Sequence, residues 1–450
     1  MEAEERDTVT VGPTAGAAAA SRASLPATAA APDLSVVVVL PPGIAPEVGY
    51  AAGLRAALAT LACTAEIVVV AAPPDVAAAR QAWPEADVEA APGDGYGVAL
   101  VHGLRRARGE WVLVVDADLR EPGPAVVRLW ASRDRGENLI GSRFVAGATV
   151  REPALRRGLS RALNRVFRRG LSLGVADLSS ATRLVRRKTL AAHYDARGYD
   201  ILQELLVRAY ADGWRVVEVP IDYEPARPGA AYPRALGVGA DYVRRFWALW
   251  KLRNSILAAD YDDRAHDSAI WLQRYWQRQR FKHITELVQG QGRVLDVGCG
   301  SSRIIGALVK DSVCIDILRR KLRYARRFGR PLVHGSGFTL PVPDASFPCV
   351  LCSQVIEHVP KESPILTELD RALAPGGRLV LGTPDYARWE WVVTEKLYGW
   401  AAPGGYADEH IGHYTREELI ARYTGMGWTH EETRYILRGE LILAFRKPRS

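Results

Sequence analysis

Cysteine is scarce, and its count is odd. Five thiols scattered over 450 residues argue for a reducing compartment and against a disulfide scaffold. A chain of this length buries enough core to need no covalent staple. Cys349 and Cys352 have the spacing of a redox or metal pair. Both fall in the apolar run 347–355 and no second pair accompanies them, so they read as buried thiols of a strand. Long apolar runs are missing as well, and none approaches the ~20 residues that span a bilayer. The amino terminus, Met1-Glu2-Ala3-Glu4-Glu5, is acidic and has no secretory pattern behind it. These absences place the chain in the cytoplasm, or attached peripherally to the cytoplasmic face of a membrane. Zinc-finger spacing and an aromatic-basic RNA signature are also lacking, which sets nucleic acid aside as a partner.

What is present is basic. The net charge is +8, from 59 Lys and Arg against 51 Asp and Glu. The excess gathers at 151–169 and in Arg319, Arg320, Lys321, Arg323, Arg326 and Arg327, and such clusters suit anionic partners. Residues 1–33 are rich in Ala, Thr, Ser and Pro and read as a disordered tail. From 34 to 231 apolar runs alternate with helical patterns. Strands are expected at 35–40, 66–70, near Val88, at 111–115 and at 214–223, with helices at 48–61, 76–83 and 95–108. Residues 232–291 read as a helical linker, rich in aromatics and arginine, leading into the entry helices of a second domain. In that domain, 292–450, the alternation resumes, with strands at 294–297, 313–315, 349–353 and 378–382. The fold class is α/β, in two domains with parallel sheets.

In the first domain the strand at 111–115 runs into Asp116-Ala117-Asp118. Two carboxylates at the carboxyl end of a parallel strand sit where such sheets bind ligands, and their hard oxygens suit Mg²⁺ or Mn²⁺. Paired acids also cap helices and close strands, so this motif alone leaves a structural reading open. The basic stretch 155–169 is amphipathic. It fits an anionic membrane surface, and equally a solvated arginine face packed through its leucines. The stretch 242–251 reads as a second interfacial helix or, equally, as a helix packed between the domains.

The motif does not stand alone. It lies between Gly95-Tyr96-Gly97 and Gly141-Ser142-Arg143. Then follow Arg156, Ser160-Arg161-x-x-Asn164, Asp177, Arg183, Gly198-Tyr199, Glu204, Val219-Pro220-Ile221 and Arg227-x-Gly229. In order and spacing this series resembles the polyprenol-phosphate sugar transferases of the dolichol-phosphate mannose synthase kind, family 2 glycosyltransferases with the GT-A fold, over about 34–255. The resemblance implies that Asp116 and Asp118 contact a divalent metal and a nucleotide-sugar. It implies that Arg143, Arg156 and Ser160 hold the phosphate of a polyprenyl-phosphate or other anionic lipid acceptor. Arg183 and Arg227 would complete the phosphate contacts, Arg227 on the donor diphosphate. Guanidinium forks suit that task. The chain departs from the family where acids usually follow the second strand: Ala71-Ala72-Pro73-Pro74 stand there, and the nearest acid is Asp75. Arg120 replaces the glutamine that usually follows the Asp-x-Asp motif.

The second domain opens with Val294-Leu295-Asp296-Val297-Gly298-Cys299-Gly300, and the next strand ends in Asp316. Gly298 and Gly300 let backbone approach a ligand closely. The Asp316 carboxylate offers two acceptor oxygens to a ribose diol. Three further segments follow: Leu340-Pro341-Val342-Pro343-Asp344, Ser353-Gln354-Val355-Ile356-Glu357-His358-Val359 and Leu373-Ala374-Pro375-Gly376-Gly377. Together they resemble the class I S-adenosylmethionine-dependent methyltransferases, with a Rossmann-like fold, over about 260–447. The resemblance places cofactor contacts on Asp296, Gly298, Gly300, Asp316, Ser336 and Gln354, with Tyr261 and Tyr275 closing over the cofactor. His358, His410 and His413 are candidate bases by chemistry. His358 also reads as a packed helix-start residue, and His410 and His413 lack a clear third ligand for a metal ion. Thr415 and Glu418 have the spacing of a capping box. Two functional readings follow. One is a bifunctional glycosyltransferase and methyltransferase acting at a membrane surface. The other is a methyltransferase carrying a degenerate, non-catalytic binding module.

Overall fold

A strand buried on both faces must be apolar at every position, and Val36, Val37, Val38 and Val39 meet that demand. Val36 and Val38 point into one layer of the first domain's core, and Val37 and Val39 into the other. The computed structural model describes residues 30–40, 42–43, 48–226, 235–401 and 410–449. The expected tail, up to residue 29, and Arg227 lie outside the described residues.

The strands of the first domain are β1 (Leu34–Val39), β2 (Ala65–Ala71), β3 (Asp87–Ala90), β4 (Trp111–Val115), β5 (Asn138–Ser142), β6 (Thr149–Val150), β7 (Arg183–Arg186), β8 (Val216–Pro220) and β9 (Asp222–Tyr223). Seven form one sheet in the order β3-β2-β1-β4-β7-β5-β8, and β6 pairs with β9. Strand β7 runs antiparallel to β4 and β5. The other neighbours in the large sheet are parallel. Helices Val48–Ala59 and Pro122–Ala131 cover one face, and Tyr96–Arg106 and Ile201–Ala211 the other. The single late strand expected at 214–223 is broken at Ile221 into β8 and β9, and β9 leaves the large sheet to pair with β6.

The second domain holds β10 (Val294–Val297), β11 (Val313–Asp316), β12 (Leu332–His334), β13 (Phe347–Ser353), β14 (Leu373–Pro384), β15 (Thr429–Ile436) and β16 (Glu440–Arg446). Their order is β12-β11-β10-β13-β14-β16-β15. The first five run parallel and β16 is antiparallel to both its neighbours. Helix Arg416–Gly425 begins with the expected capping box. Thr415 Oγ1 accepts from the Glu418 amide at 3.2 Å, and Glu418 Oε2 accepts from the Thr415 amide at 3.0 Å. Cys349 and Cys352 are buried in β13, and burial pushes the Cys349 thiol up to about 12.

The expected linker at 232–291 is divided between the two sheets. Helix Ala235–Asn254 packs through Phe246 and Leu249 onto Ile140, Leu171 and Val207 of the first domain. Helix Trp271–Val288 buries Ile284, Leu287 and Val288 against the second sheet. Between them Arg253 forms a buried fork on Asp260, at 2.6 and 2.7 Å, and donates to the carbonyls of Leu171 and Ser172 at 3.1 Å. The basic run at 319–327 turns inward at the same junction. Lys321 Nζ lies 2.9 Å from Asp262 Oδ2, and the Arg323 guanidinium stacks 4.0 Å over Trp214. Those two cations are committed within the chain, which corrects the reading of the whole run as an open anion-binding patch.

Replacing Arg253 by alanine leaves Asp260 buried, with only the 3.9 Å Arg264 contact. The expected cost is about 3–5 kcal/mol in urea unfolding. The double variant Arg253→Met/Asp260→Leu should recover part of it, because the buried Asp260 charge is removed with its partner while Arg264 loses its 3.9 Å contact.

Candidate functional site

Strand β4 lies in the middle of its sheet, and all five of its residues are buried. At its carboxyl end the Asp116 amide donates to Thr182 Oγ1 at 3.2 Å, and the Asp118 amide donates to Asp116 Oδ1 at 3.0 Å. This turn holds both carboxylates at the end of the strand. The Tyr50 hydroxyl donates to the Asp116 carbonyl at 3.1 Å and fixes the turn from the opposite side. Burial raises the Asp116 carboxyl above its ordinary range and Asp118 adds to the rise, while Arg143 and Arg156 act against it. A site that strains to hold two anions favours an added cation.

Arg156, on helix Ala154–Gly170, places Nη2 3.9 Å from Asp118 Oδ2 and Nε 3.6 Å from Glu152 Oε2. The Glu152 carboxylate is buried and neither oxygen has a hydrogen-bond partner. Asn164 pins this helix to the segment before β7. Its amide nitrogen donates to Ser179 Oγ at 3.0 Å, and its Oδ1 accepts from the Leu178 amide at 2.7 Å. Ser160 follows Arg156 by one turn and is half-buried. Arg143 grips Asp177 with Nε and Nη2, both at 2.8 Å, and Ser179 Oγ at 2.8 Å. Burial alone would raise the Asp177 carboxyl, but the Arg143 fork holds it below its ordinary range. Glu218 on β8 accepts from the amides of Ala176 and Asp177 at 2.8 and 3.0 Å, which ties the pair to the sheet.

Arg183 requires a correction. Position 183 in β7 is wholly internal, and its guanidinium donates to the carbonyls of Leu202 (3.0 Å) and Ser180. Burial pulls its pKa down to about 10. A strand buried between two helix layers exposes no surface on which Arg183 could meet a phosphate.

In the second domain β10 ends at Val297 and the chain turns through Gly298 (φ 73°) and Gly300 (φ 57°). A Cβ on Gly298 would lie 2.1 Å from Val355 Cγ2. The Gly298 amide donates to the Ile315 carbonyl at 2.8 Å and the Gly300 amide to Asp316 Oδ2 at 2.8 Å. Asp316 Oδ1 accepts from the Leu318 amide at 2.7 Å. Asp296 is buried in β10, and burial with the nearby Asp316 charge raises its carboxyl to about 7. Gln354 follows β13 in the left-handed region (φ 60°), and its Nε2 is buried without a hydrogen-bond partner. Ser336 Oγ accepts from the Phe338 amide at 3.1 Å. Tyr261 is buried against Ala211 and Ala258, and its hydroxyl accepts from Gln273 Nε2 at 3.2 Å. Tyr275 is exposed.

Two of the three histidines meet, and the third packs nearby on Tyr386. His358 ends the short turn Ile356–His358, and its ring lies 5.0 Å from that of His410. His410 Nδ1 lies 2.8 Å from Glu395 Oε1. His413 stacks on Tyr386 with ring centres 4.1 Å apart. Glu357, beside His358, is fully buried, which pushes its carboxyl up to about 8.

Comparison with known proteins falls along the same division. Residues 76–193 match the family model described as glycosyl transferase family 2, and residues 295–381 match the one described as a methyltransferase domain. The chain joins a family 2 glycosyltransferase domain to a methyltransferase domain. The glycosyltransferase half is similar to polyprenol monophosphomannose synthase from Mycolicibacterium smegmatis, at 38% identity over 136 residues, 29% of this chain and 51% of that protein. An uncharacterised 37.1 kDa protein in transposon TN4556 of Streptomyces fradiae is 37% identical over 103 residues, 20% of this chain and 30% of that protein. The chain thus spans about half the length of the first of these relatives, and less of the second. Among solved structures, it is similar to a SAM-dependent methyltransferase from Thermotoga maritima (22% identity, 39% of this chain and 94% of that chain, TM-score 0.32). Magnesium protoporphyrin IX methyltransferase from Synechocystis PCC 6803 is similar at 16% identity, over 40% of this chain and 89% of that chain, TM-score 0.32.

Asp116 and Asp118 lie inside the glycosyltransferase match, and Asp296, Gly298, Gly300, Asp316, Ser336 and Gln354 inside the methyltransferase match. Sequence reasoning passed over Glu152, Tyr50, Asn164 as a structural pin, Asp262 and Glu395. Glu152 and Asp262 are ordinary acids in basic surroundings, and no spacing marks them. Asn164 was legible only as part of a motif.

Replacing Gly298 by alanine forces a left-handed φ on a residue whose Cβ has no room. S-adenosylmethionine binding, measured by calorimetry, should weaken by about tenfold or more.

Proposed function

We propose that the glycosyltransferase domain moves a sugar from a nucleotide-sugar to a polyprenyl phosphate or related anionic lipid, and that the methyltransferase domain moves a methyl group from S-adenosylmethionine to a small-molecule or glycan acceptor. The observation that carries the first half is Arg156 standing 3.9 Å from Asp118, at the carboxyl end of β4. One helix thereby brings a phosphate-binding guanidinium to the edge of a donor-binding carboxylate pair. Asp116 and Asp118 would hold Mg²⁺ or Mn²⁺, which when bound neutralises charge on the departing diphosphate. Arg156 and Ser160 would orient the lipid phosphate, whose own oxygen is the nucleophile, so no protein base is required.

In the second half, the Gly298–Gly300 turn, packed tightly on Val355 and Asp262, would face the cofactor, and Asp316 would take its ribose. Asp296 and the unsatisfied Gln354 amide complete the contacts. S-adenosylmethionine supplies an electrophilic methyl carbon, and the protein's main contribution is to align the acceptor with it.

The surface of helix Ala154–Gly170 supports action at a membrane. Leu155, Leu159, Leu163 and Val166 are 86, 70, 47 and 64% exposed and recur on one face. Arg157, Arg161, Arg165, Arg168 and Arg169 lie among them. An apolar stripe flanked by guanidinium groups matches an anionic bilayer surface. Among the described residues no helix is long and apolar enough to cross a membrane.

One observation favours the alternative of a non-catalytic binding module. No acid follows β2, and the nearest one, Asp75, accepts from the Gly43 amide at 2.9 Å. Nucleotide-sugar turnover separates the two readings. Sugar transfer to polyprenyl phosphate should fall by at least about 100-fold in Asp118→Ala, the scale on which one lost electrostatic contact to a transition state acts. Absence of metal-dependent nucleotide-sugar binding in the parent chain would instead support the module.

Vesicle sedimentation tests the membrane face. Binding to phosphatidylglycerol vesicles should weaken by about tenfold or more for Leu155→Asp and again for Leu159→Asp. It should also decline with added salt.

A further inference from the structure

Three potential ligands from separate parts of the methyltransferase domain converge beside the cofactor turn. They are a carboxylate oxygen of Glu357 and a ring nitrogen each from His358 and His410, and all three atoms lie within 4.8 Å of one another. Glu357 and His358 belong to the turn that follows β13, three and four residues beyond Gln354. His410 is brought in from a point more than fifty residues later. The Ile411 and Gly412 amides tie it there, donating to the Glu357 carbonyl at 2.7 and 2.8 Å.

Two independent features point to a cation. Glu357 is fully buried, Thr383 Oγ1 donates to its Oε2 at 3.3 Å, and its Oε1 has no hydrogen-bond partner. A buried carboxylate oxygen left without a partner is costly unless something occupies it. In addition, Glu395 Oε1 sits 2.8 Å from His410 Nδ1, so that a cation would be taken by Nε2. A carboxylate behind a histidine is the arrangement that orients a metal-binding imidazole and raises its basicity.

We propose that Glu357, His358 and His410 form a binding site for a divalent cation of the zinc class. Two imidazoles and one carboxylate are a donor set that zinc takes with a fourth position left open, whereas magnesium prefers oxygen ligands throughout. Ligands around zinc at about 2.0–2.1 Å stand ~3.4 Å apart, so ligand atoms already within 4.8 Å of one another need to close by no more than ~1.4 Å on binding. The open position lies at the carboxyl ends of β13 and β14, where an open α/β sheet receives its ligands. It would take a hydroxyl oxygen of the methyl acceptor. There the cation would acidify the hydroxyl, whose proton passes to water, and direct the oxygen at the methyl carbon; the O–CH3 bond forms as the S–CH3 bond breaks, and S-adenosylhomocysteine leaves. The acceptor class is therefore an alcohol or phenol, including a sugar hydroxyl. This assignment rests on the methyltransferase reading of the domain.

The test uses the full chain, stripped with a chelator and titrated with Zn²⁺ by calorimetry, with Co²⁺ as a spectroscopic probe. One ion per chain and the visible absorption of a four-coordinate Co²⁺ site are expected. His410→Ala and His358→Ala should each weaken Zn²⁺ binding by about 100-fold or more. Glu395→Gln, which removes no ligand and whose carboxylate is partly exposed, should weaken it by about 10- to 100-fold. Glu395→Gln keeps the test decisive even if Glu357→Gln fails to fold. His193→Ala, on an exposed loop of the other domain, should leave it unchanged. Absence of saturable Zn²⁺ binding, or binding that survives both histidine variants, overturns the site. S-adenosylmethionine affinity is measured on the stripped chain in parallel. A chain that binds Zn²⁺ through these residues but not S-adenosylmethionine supports the site and overturns the methyltransferase reading.

Discussion

Parallel strands cannot be joined by hairpins. Each needs a crossover, and successive right-handed crossovers leave all the carboxyl ends opening toward one edge of the sheet. Both domains depend on this constraint. In the first, Asp116 and Asp118 follow β4, at the centre of its sheet. In the second, Gly298, Asp316 and Gln354 follow β10, β11 and β13, three neighbouring strands. The chemistry collects where the ladder ends because the chain turns away from the sheet there and leaves room for a ligand. Side chains leaving the last strand position also converge there from different parts of the chain.

The two halves use charge differently. In the glycosyltransferase domain the cations are distributed between structure and site. Arg143 is held in a fork by Asp177, and Arg183 is enclosed in β7. Arg156, on an otherwise exposed helix, is left to meet the carboxylate pair. In the methyltransferase domain the notable charges are buried acids. Asp296 and Glu357 lie in apolar surroundings that favour their protonated forms, so both are disposed to accept a cation or to share a proton. Between the halves, the Arg253–Asp260 fork shows the cost side of the same physics: buried charge is tolerated only where a partner and further hydrogen bonds surround it.

Much of the fold was legible in the sequence. Runs such as Val36–Val39 and Val294–Val297 are long enough and apolar enough to specify buried strands, and their spacing from helical segments specifies parallel sheets. The capping box at Thr415 was readable because its two hydrogen bonds are local. Strands β5, β6, β7, β12, β15 and β16 were not picked out. β7 is short and begins with an arginine, and it becomes a strand because β4 and β5 leave an antiparallel slot between them. The role assigned to Arg183 failed for the same reason, since nothing in the local sequence shows that this arginine is enclosed on both faces.

By itself the sequence determined the two α/β domains, through their alternation of strand and helix patterns, and the carboxylate pair after β4 and the glycine turn after β10, each encoded within a dozen consecutive residues. It left open which way the arginine-rich helix faces. It also left open which arginines are spent inside the protein and which acids meet which histidines. Only the tertiary structure decided these. It turned Leu155 and Leu159 outward, closed Arg143 on Asp177, and brought His410 to Glu357 and His358. Such contacts join residues tens of positions apart. Their energies depend on burial and on the partner opposite, neither of which is present in the local chain.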